Sequence, residues 1–126
     1  MVRCKYNEEQ EPAAPFVYVT IAGIDGTTGE ARVPAQVDSG ASRTVIPLAV
    51  ATDLGIQRVR ELAIAGLGAN VLMLLTFLLR LRVHDFEGLD IEVIADRSEP
   101  FVLLGRDVLN RYRCLLDGPA KALEME

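Results

Sequence analysis

The stretch Ala35-Gln36-Val37-Asp38-Ser39-Gly40-Ala41-Ser42 turns an apolar strand pattern into a short polar loop. Taken alone, Asp-Ser-Gly predicts a turn, because Asp caps its own backbone and Gly tolerates unusual dihedrals. Upstream, Glu30–Val37 has the composition of a strand. Pro34 removes a ladder donor there, which predicts an edge or a bulge. Phe16–Ile21 is β-branched and aromatic, a second strand, and Asp25-Gly26 between the two is a two-residue hairpin signal. Downstream, Thr44–Ile46 is a short strand. Pro47–Leu54 suits a short helix, with Pro in its first turn and Gly55 as its C-terminal cap.

Further along, Leu62–Asn70 is apolar with two glycines, and Val71–Leu79 is almost wholly apolar. A hairpin followed by a strand buried on both faces accounts for this composition. A bilayer span is the rival reading, opposed by Gly66, Gly68, Asn70 and Thr76. Ile91–Ala95 alternates like a half-buried strand. Phe101–Leu104 is a short apolar strand, Arg106–Tyr112 is compatible with a helix, and Tyr112–Leu116 is extended. Asp117-Gly118 is a turn signal, and Ala122–Met125 returns from it as a last strand. Many short strands with close turns predict an all-β fold, a closed barrel or sandwich.

Composition narrows the function. The chain has 126 residues and a net charge of −5, and half of its residues are hydrophobic. This is the balance of one globular domain, expected over residues 16–126. Without Trp and with few aromatics, branched aliphatics must fill the core. No basic stripe exists to displace counterions, so a nucleic-acid partner is not expected. Residues 1–15 are polar and acidic with no apolar signal region, and are expected to form a loosely ordered, flexible arm of a cytoplasmic protein. Cys4 and Cys114 lie at opposite ends without metal-site spacing, so two free thiols are expected, a disulfide being the alternative. The one histidine, His84, sits in an alternating segment and is expected at the surface, which leaves a Ser-His-Asp or Cys-His mechanism little to build on.

A second segment, Val102-Leu103-Leu104-Gly105-Arg106-Asp107-Val108-Leu109, completes the pattern. An apolar strand ending in Asp-Ser-Gly-Ala, a glycine-bearing hairpin, and then apolar-apolar-Gly-Arg-Asp near the C-terminus resembles the retropepsin-like aspartic proteases, over roughly Phe16 to Gly118. The ending Leu116-Asp117-Gly118-Pro119 looks like a cellular, bacterial branch. The resemblance implies a closed β-barrel with a flap hairpin and one short C-terminal helix. It implies that Asp38 is catalytic, and that Ser39, Gly40 and Ala41 form the active-site loop. Ala65, Gly66, Leu67 and Gly68 would be the flap that covers substrate, with Gly105, Arg106 and Asp107 as structural support. It further implies a homodimer, an extended peptide or protein substrate and peptide-bond hydrolysis, with no cofactor, no metal and no membrane association. Asp25-Gly26-Thr27 breaks the Asp-Ser/Thr-Gly order and is expected at a hairpin tip. Where retroviral members often carry an acid that pairs with the arginine of the Gly-Arg-Asp segment, this chain has Ser42 followed by Arg43, so the ion pair of Arg106 is expected to be missing, or replaced by a neutral hydrogen bond. The alternative function is a catalytically silent dimerisation or peptide-binding module on the same fold.

Overall fold

Alternation of buried and exposed side chains sets the strands. In β2 (Phe16–Ala22), Val17, Val19 and Ile21 point inward while Tyr18 faces solvent. The turn at Asp25-Gly26, where Gly26 has φ 74°, brings back β3 (Glu30–Val37), which pairs antiparallel with β2 from Phe16↔Gln36 to Ala22↔Glu30. A computed structural model describes the chain at residues 1–65, 68 and 70–126. It continues through β4 (Val45–Pro47), α1 (Leu48–Leu54), β5 (Arg58–Ala65), β6 (Val71–Val83), β7 (Leu89–Asp96), β8 (Val102–Leu104), α2 (Arg106–Leu109), β9 (Cys114–Asp117) and β10 (Ala122–Met125). Gly55 caps α1 with φ 70°, as the sequence predicts.

The larger sheet runs β2-β3-β8-β4-β7-β6-β5, and an extra pairing of β2 with β6 closes six of its strands into a barrel. Closure removes the free edges that six such strands would otherwise present. β3 and β8 run parallel, as do β4 and β7, so strands from opposite halves of the chain lie side by side. Pro34 sits where the expectation put it: β8 begins opposite Ala35, so that end of β3 has only one neighbour. The interior is aliphatic, with Ile21, Ile46, Leu79, Leu81, Val93, Val102 and Leu104 fully buried. Each contributes about 1.5–3 kcal/mol relative to exposure.

Two expectations are corrected. Residues 1–15 are not a loose arm throughout. Val2–Lys5 forms β1, paired antiparallel with β10 of the same chain from Val2↔Met125 to Lys5↔Ala122, and Asn7 bridges Ala14. With β9 this makes a separate three-stranded sheet, β1-β10-β9. The apolar run 62–79 is also not buried on both faces. Its residues 62–65 and 71–79 belong to β5 and β6, and among the described residues no helix is long and apolar enough to cross a membrane. β7 joins β6 only from Leu75 onward, so among the described residues no third strand lies beside the outer part of the β5–β6 pair. Val71, Leu72 and Met73 are accordingly 62%, 57% and 58% exposed.

Candidate active site

Asp38 is the first residue beyond β3, half-buried, with its backbone N–H donating to Leu104 O at 3.0 Å. Its Oδ1 accepts the Gly40 N–H at 3.0 Å, and Ala41 N–H returns to Asp38 O at 3.2 Å. Such a turn aims one carboxylate oxygen back at its own loop. A Cβ on Gly40 would lie 3.2 Å from that oxygen, so glycine leaves the carboxylate room. Asp25 makes a comparable local turn, its Oδ1 accepting both the backbone N–H and the hydroxyl of Thr27, which hold its carboxyl below the usual range. Asp25 stays on the exposed β2–β3 turn, as the sequence predicts.

What separates the Asp38 loop from a simple turn is its attachment to the distant segment 104–107. Arg106 donates its N–H to Ala41 O at 2.9 Å and its Nη1 to Ser39 O at 2.7 Å. The expected neutral partner of Arg106 is therefore the Ser39 carbonyl. Asp107 accepts Thr44 N–H at 3.0 Å, the Thr44 hydroxyl at 2.7 Å and Val108 N–H at 2.9 Å. The Thr44 hydroxyl in turn accepts the Gly105 N–H at 3.1 Å. Thr44 is fully buried, and among the described residues no buried side-chain polar atom lacks a partner. Gly105 is dictated by space: an added Cβ would fall 2.5 Å from Arg43 C and 2.7 Å from Arg43 O, which is backbone and cannot swing away. The sequence reading missed Thr44. A polar residue opening an apolar strand was the available signal, but its partner lies 63 residues away.

The register defines the wall beside the loop. Gln36 pairs with Leu103, Leu103 with Val45, Val45 with Ile94, Ile94 with Thr76, and Thr76 with Arg60. Paired residues share a face of a sheet, and residues two apart in a strand do too. Gln36 lies two residues before Asp38, so one end of this row sits beside the Asp38 loop. Leu103 and Val45 are half-buried there and Ile94 is 6% exposed, an apolar floor. The base of the β5–β6 hairpin borders it. Of the expected flap, Ala65 ends β5 opposite Val71 and Gly68 takes a positive φ of 81° in the turn, while Gly66 and Leu67 lie outside the described residues. His84 stands on the exposed turn after β6, its Nδ1 2.8 Å from Asp85 Oδ1. Cys4 and Cys114 are free thiols.

A closed six-stranded barrel with an Asp-Ser-Gly loop stitched to a Gly-Arg-Asp turn is the retropepsin-like aspartic protease architecture. The chain belongs to the family described as "gag-polyprotein putative aspartyl protease", whose model matches residues 24–111. No curated protein matches it in sequence. Among solved structures, it is similar to the EIAV protease complexed with the inhibitor HBY-793, at TM-score 0.58 and 22% identity, covering 86% of this chain and 93% of that one. It is similar to a retropepsin-like aspartic protease from Rickettsia conorii, at TM-score 0.60 and 16% identity over 97% and 86% of the two chains. The retroviral protease-like domain of Ddi1 from Leishmania major gives 0.55 and 19%, over 89% of each. At these identities the likeness is one of fold.

Proposed function

We propose that the chain is an aspartic endopeptidase that works as a homodimer, with Asp38 of each copy supplying one of two catalytic carboxylates. The observation that carries this reading is the construction of the Asp38 loop. A turn that merely reversed the chain would not need its backbone tied to Leu104 and Arg106 at three points. The sequence has one Asp-Ser-Gly-Ala motif, so the second carboxylate comes from a second copy. A closed two-fold axis brings the two together. The three-stranded terminal sheet favours such a partner. Among the described residues no strand pairs with its β9 edge, and Leu115 and Leu116 on it are each 52% exposed. An apolar open edge is a natural surface for a second chain.

Two carboxylates in hydrogen-bond range share one proton, and their apparent pKa values separate by about 3 units. The ionised member draws a proton from a trapped water, and that water attacks the peptide carbonyl. The protonated member donates to the carbonyl oxygen. Ser39 ties the two loops together, Gly40 lets backbone approach substrate, and Ala41 lines the cleft. Substrate lies extended between the Leu103–Val45–Ile94 wall and the β5–β6 flap, bonded like an added strand. The two free thiols support a reducing, cytoplasmic setting.

The test is digestion of a mixed peptide library from mildly acidic to neutral pH, beside Asp38→Asn, with cut bonds identified by mass spectrometry. Cutting by the wild type alone, with a rate per chain that falls on dilution, supports the dimeric mechanism. Equal cutting by both removes Asp38 from the chemistry. Silence from a folded dimer makes it a peptide-binding module.

A further inference from the structure

Beside the apolar floor lies a charge cluster that the chemistry above does not use. Glu92 precedes Ile94 by two in β7 and so shares its face with the apolar floor, and Arg43, in the loop just before β4, reaches that carboxylate. Glu92 accepts Arg60 Nε at 2.8 Å and Nη2 at 3.0 Å, and the Thr76 hydroxyl at 2.7 Å. Arg43 Nη1 stands 3.7 Å from Glu92 Oε1, too far for a hydrogen bond. Among the described residues, neither arginine pairs with any other acid. Two guanidinium groups therefore share one carboxylate, and the cluster carries a net charge of about +1 at neutral and mildly acidic pH. Arg43 and Arg60 remain 37% and 51% exposed, with donors unused.

Resting on the protease reading, we propose that Arg43 and Arg60 select a substrate with an acidic side chain, Asp or Glu, at the position of the bound strand that passes them. The carboxylate of the substrate takes the donors that Glu92 leaves unsatisfied, and charge-assisted bonds of this kind are the stronger ones. The neighbouring floor of Leu103, Val45 and Ile94 takes an apolar side chain. Two-fold symmetry repeats the cluster, so an acid is favoured on both sides of the cut bond.

Binding of non-hydrolysable eight-residue peptides, with the central peptide bond reduced, tests this without requiring turnover. Each position is varied between Glu and Gln, and affinity is measured at low and high salt. Wild type favours Glu at one position on each side of the reduced bond by about tenfold at low salt, the ratio shrinking as salt screens it. Arg43→Gln, with net charge zero in the cluster, lowers the ratio, and Glu92→Gln, with net charge two, raises it. Circular dichroism confirms that the variants are folded. No Glu preference at any position, the same ratio in both variants, or no binding by either peptide series overturns the proposal. Cleavage of the mixed peptide library by wild type and Asp38→Asn reports separately on the protease reading.

Discussion

Replacing Thr44 with Val should unfasten the candidate active site while leaving its shape intact. The two side chains are nearly isosteric, so no cavity opens. The hydroxyl, however, donates to Asp107 Oδ1 at 2.7 Å and accepts Gly105 N–H at 3.1 Å, both inside the protein. A hydrogen bond to a charged group is worth about 1.5–3 kcal/mol, and a buried donor left alone costs about 1–3 kcal/mol. The two effects share one oxygen and do not simply add, so the expected loss is about 2–4 kcal/mol. That is a large fraction of the ~5–15 kcal/mol that holds a domain folded. Thr44→Ser keeps the hydroxyl and removes one methyl, for about 1 kcal/mol. Urea unfolding at fixed protein concentration reads both, the midpoint falling and the slope holding. The reasoning is refuted if the Val variant stays within about 0.5 kcal/mol of wild type, the scatter of ordinary surface changes. A Ser variant as unstable as the Val variant refutes it equally.

Two further outcomes are expected. Gly105→Ala drives a methyl into the Arg43 backbone and should cost about 3 kcal/mol or more, or abolish soluble expression, while Gly29→Ala, with open space around it, should change stability by less than about 0.5 kcal/mol in the same urea assay. The Arg60 hydrogen bonds, the Thr76 hydroxyl and the Arg60 and Arg43 charges lower the Glu92 carboxyl from 4.5 to about 2. A depressed carboxyl pKa stabilises the fold at pH above the unfolded value and loses that contribution as pH falls through the folded one. The stability gap between wild type and Glu92→Gln should therefore be constant above pH 5 and close between pH 4.5 and 2, as followed by urea unfolding across that range; a gap independent of pH refutes the assignment.

Elements held by local chemistry were legible in the sequence. The β2–β3 hairpin is announced by Asp25-Gly26, the end of α1 by Gly55, and the Asp38 loop by Asp-Ser-Gly, because turns depend on adjacent residues. The parallel pairing of β3 with β8 was not legible, because the two strands lie far apart in the chain and no turn joins them. β1 was not legible: four residues, Val2–Lys5, become a strand only because β10 lies beside them, at the other end of the chain. Thr44 was missed for the same reason, since its role is fixed by Asp107 and not by its neighbours. The exposure of Val71–Met73 ran against their hydrophobicity. An apolar run signals burial only if something covers it, and β7 does not reach that part of β6.

The ties between residues 38–44 and 104–107 also set an order of events during synthesis. A ribosome adds about 5–20 residues per second, so the Asp38 loop emerges seconds before its supports. Until Arg106 and Asp107 follow, Ser39, Ala41 and Thr44 lack their partners, and the carboxylate is held by nothing more than its own short turn. β1 waits longer still, for β10. A nascent chain therefore presents Asp38 seconds before the residues that fix its loop.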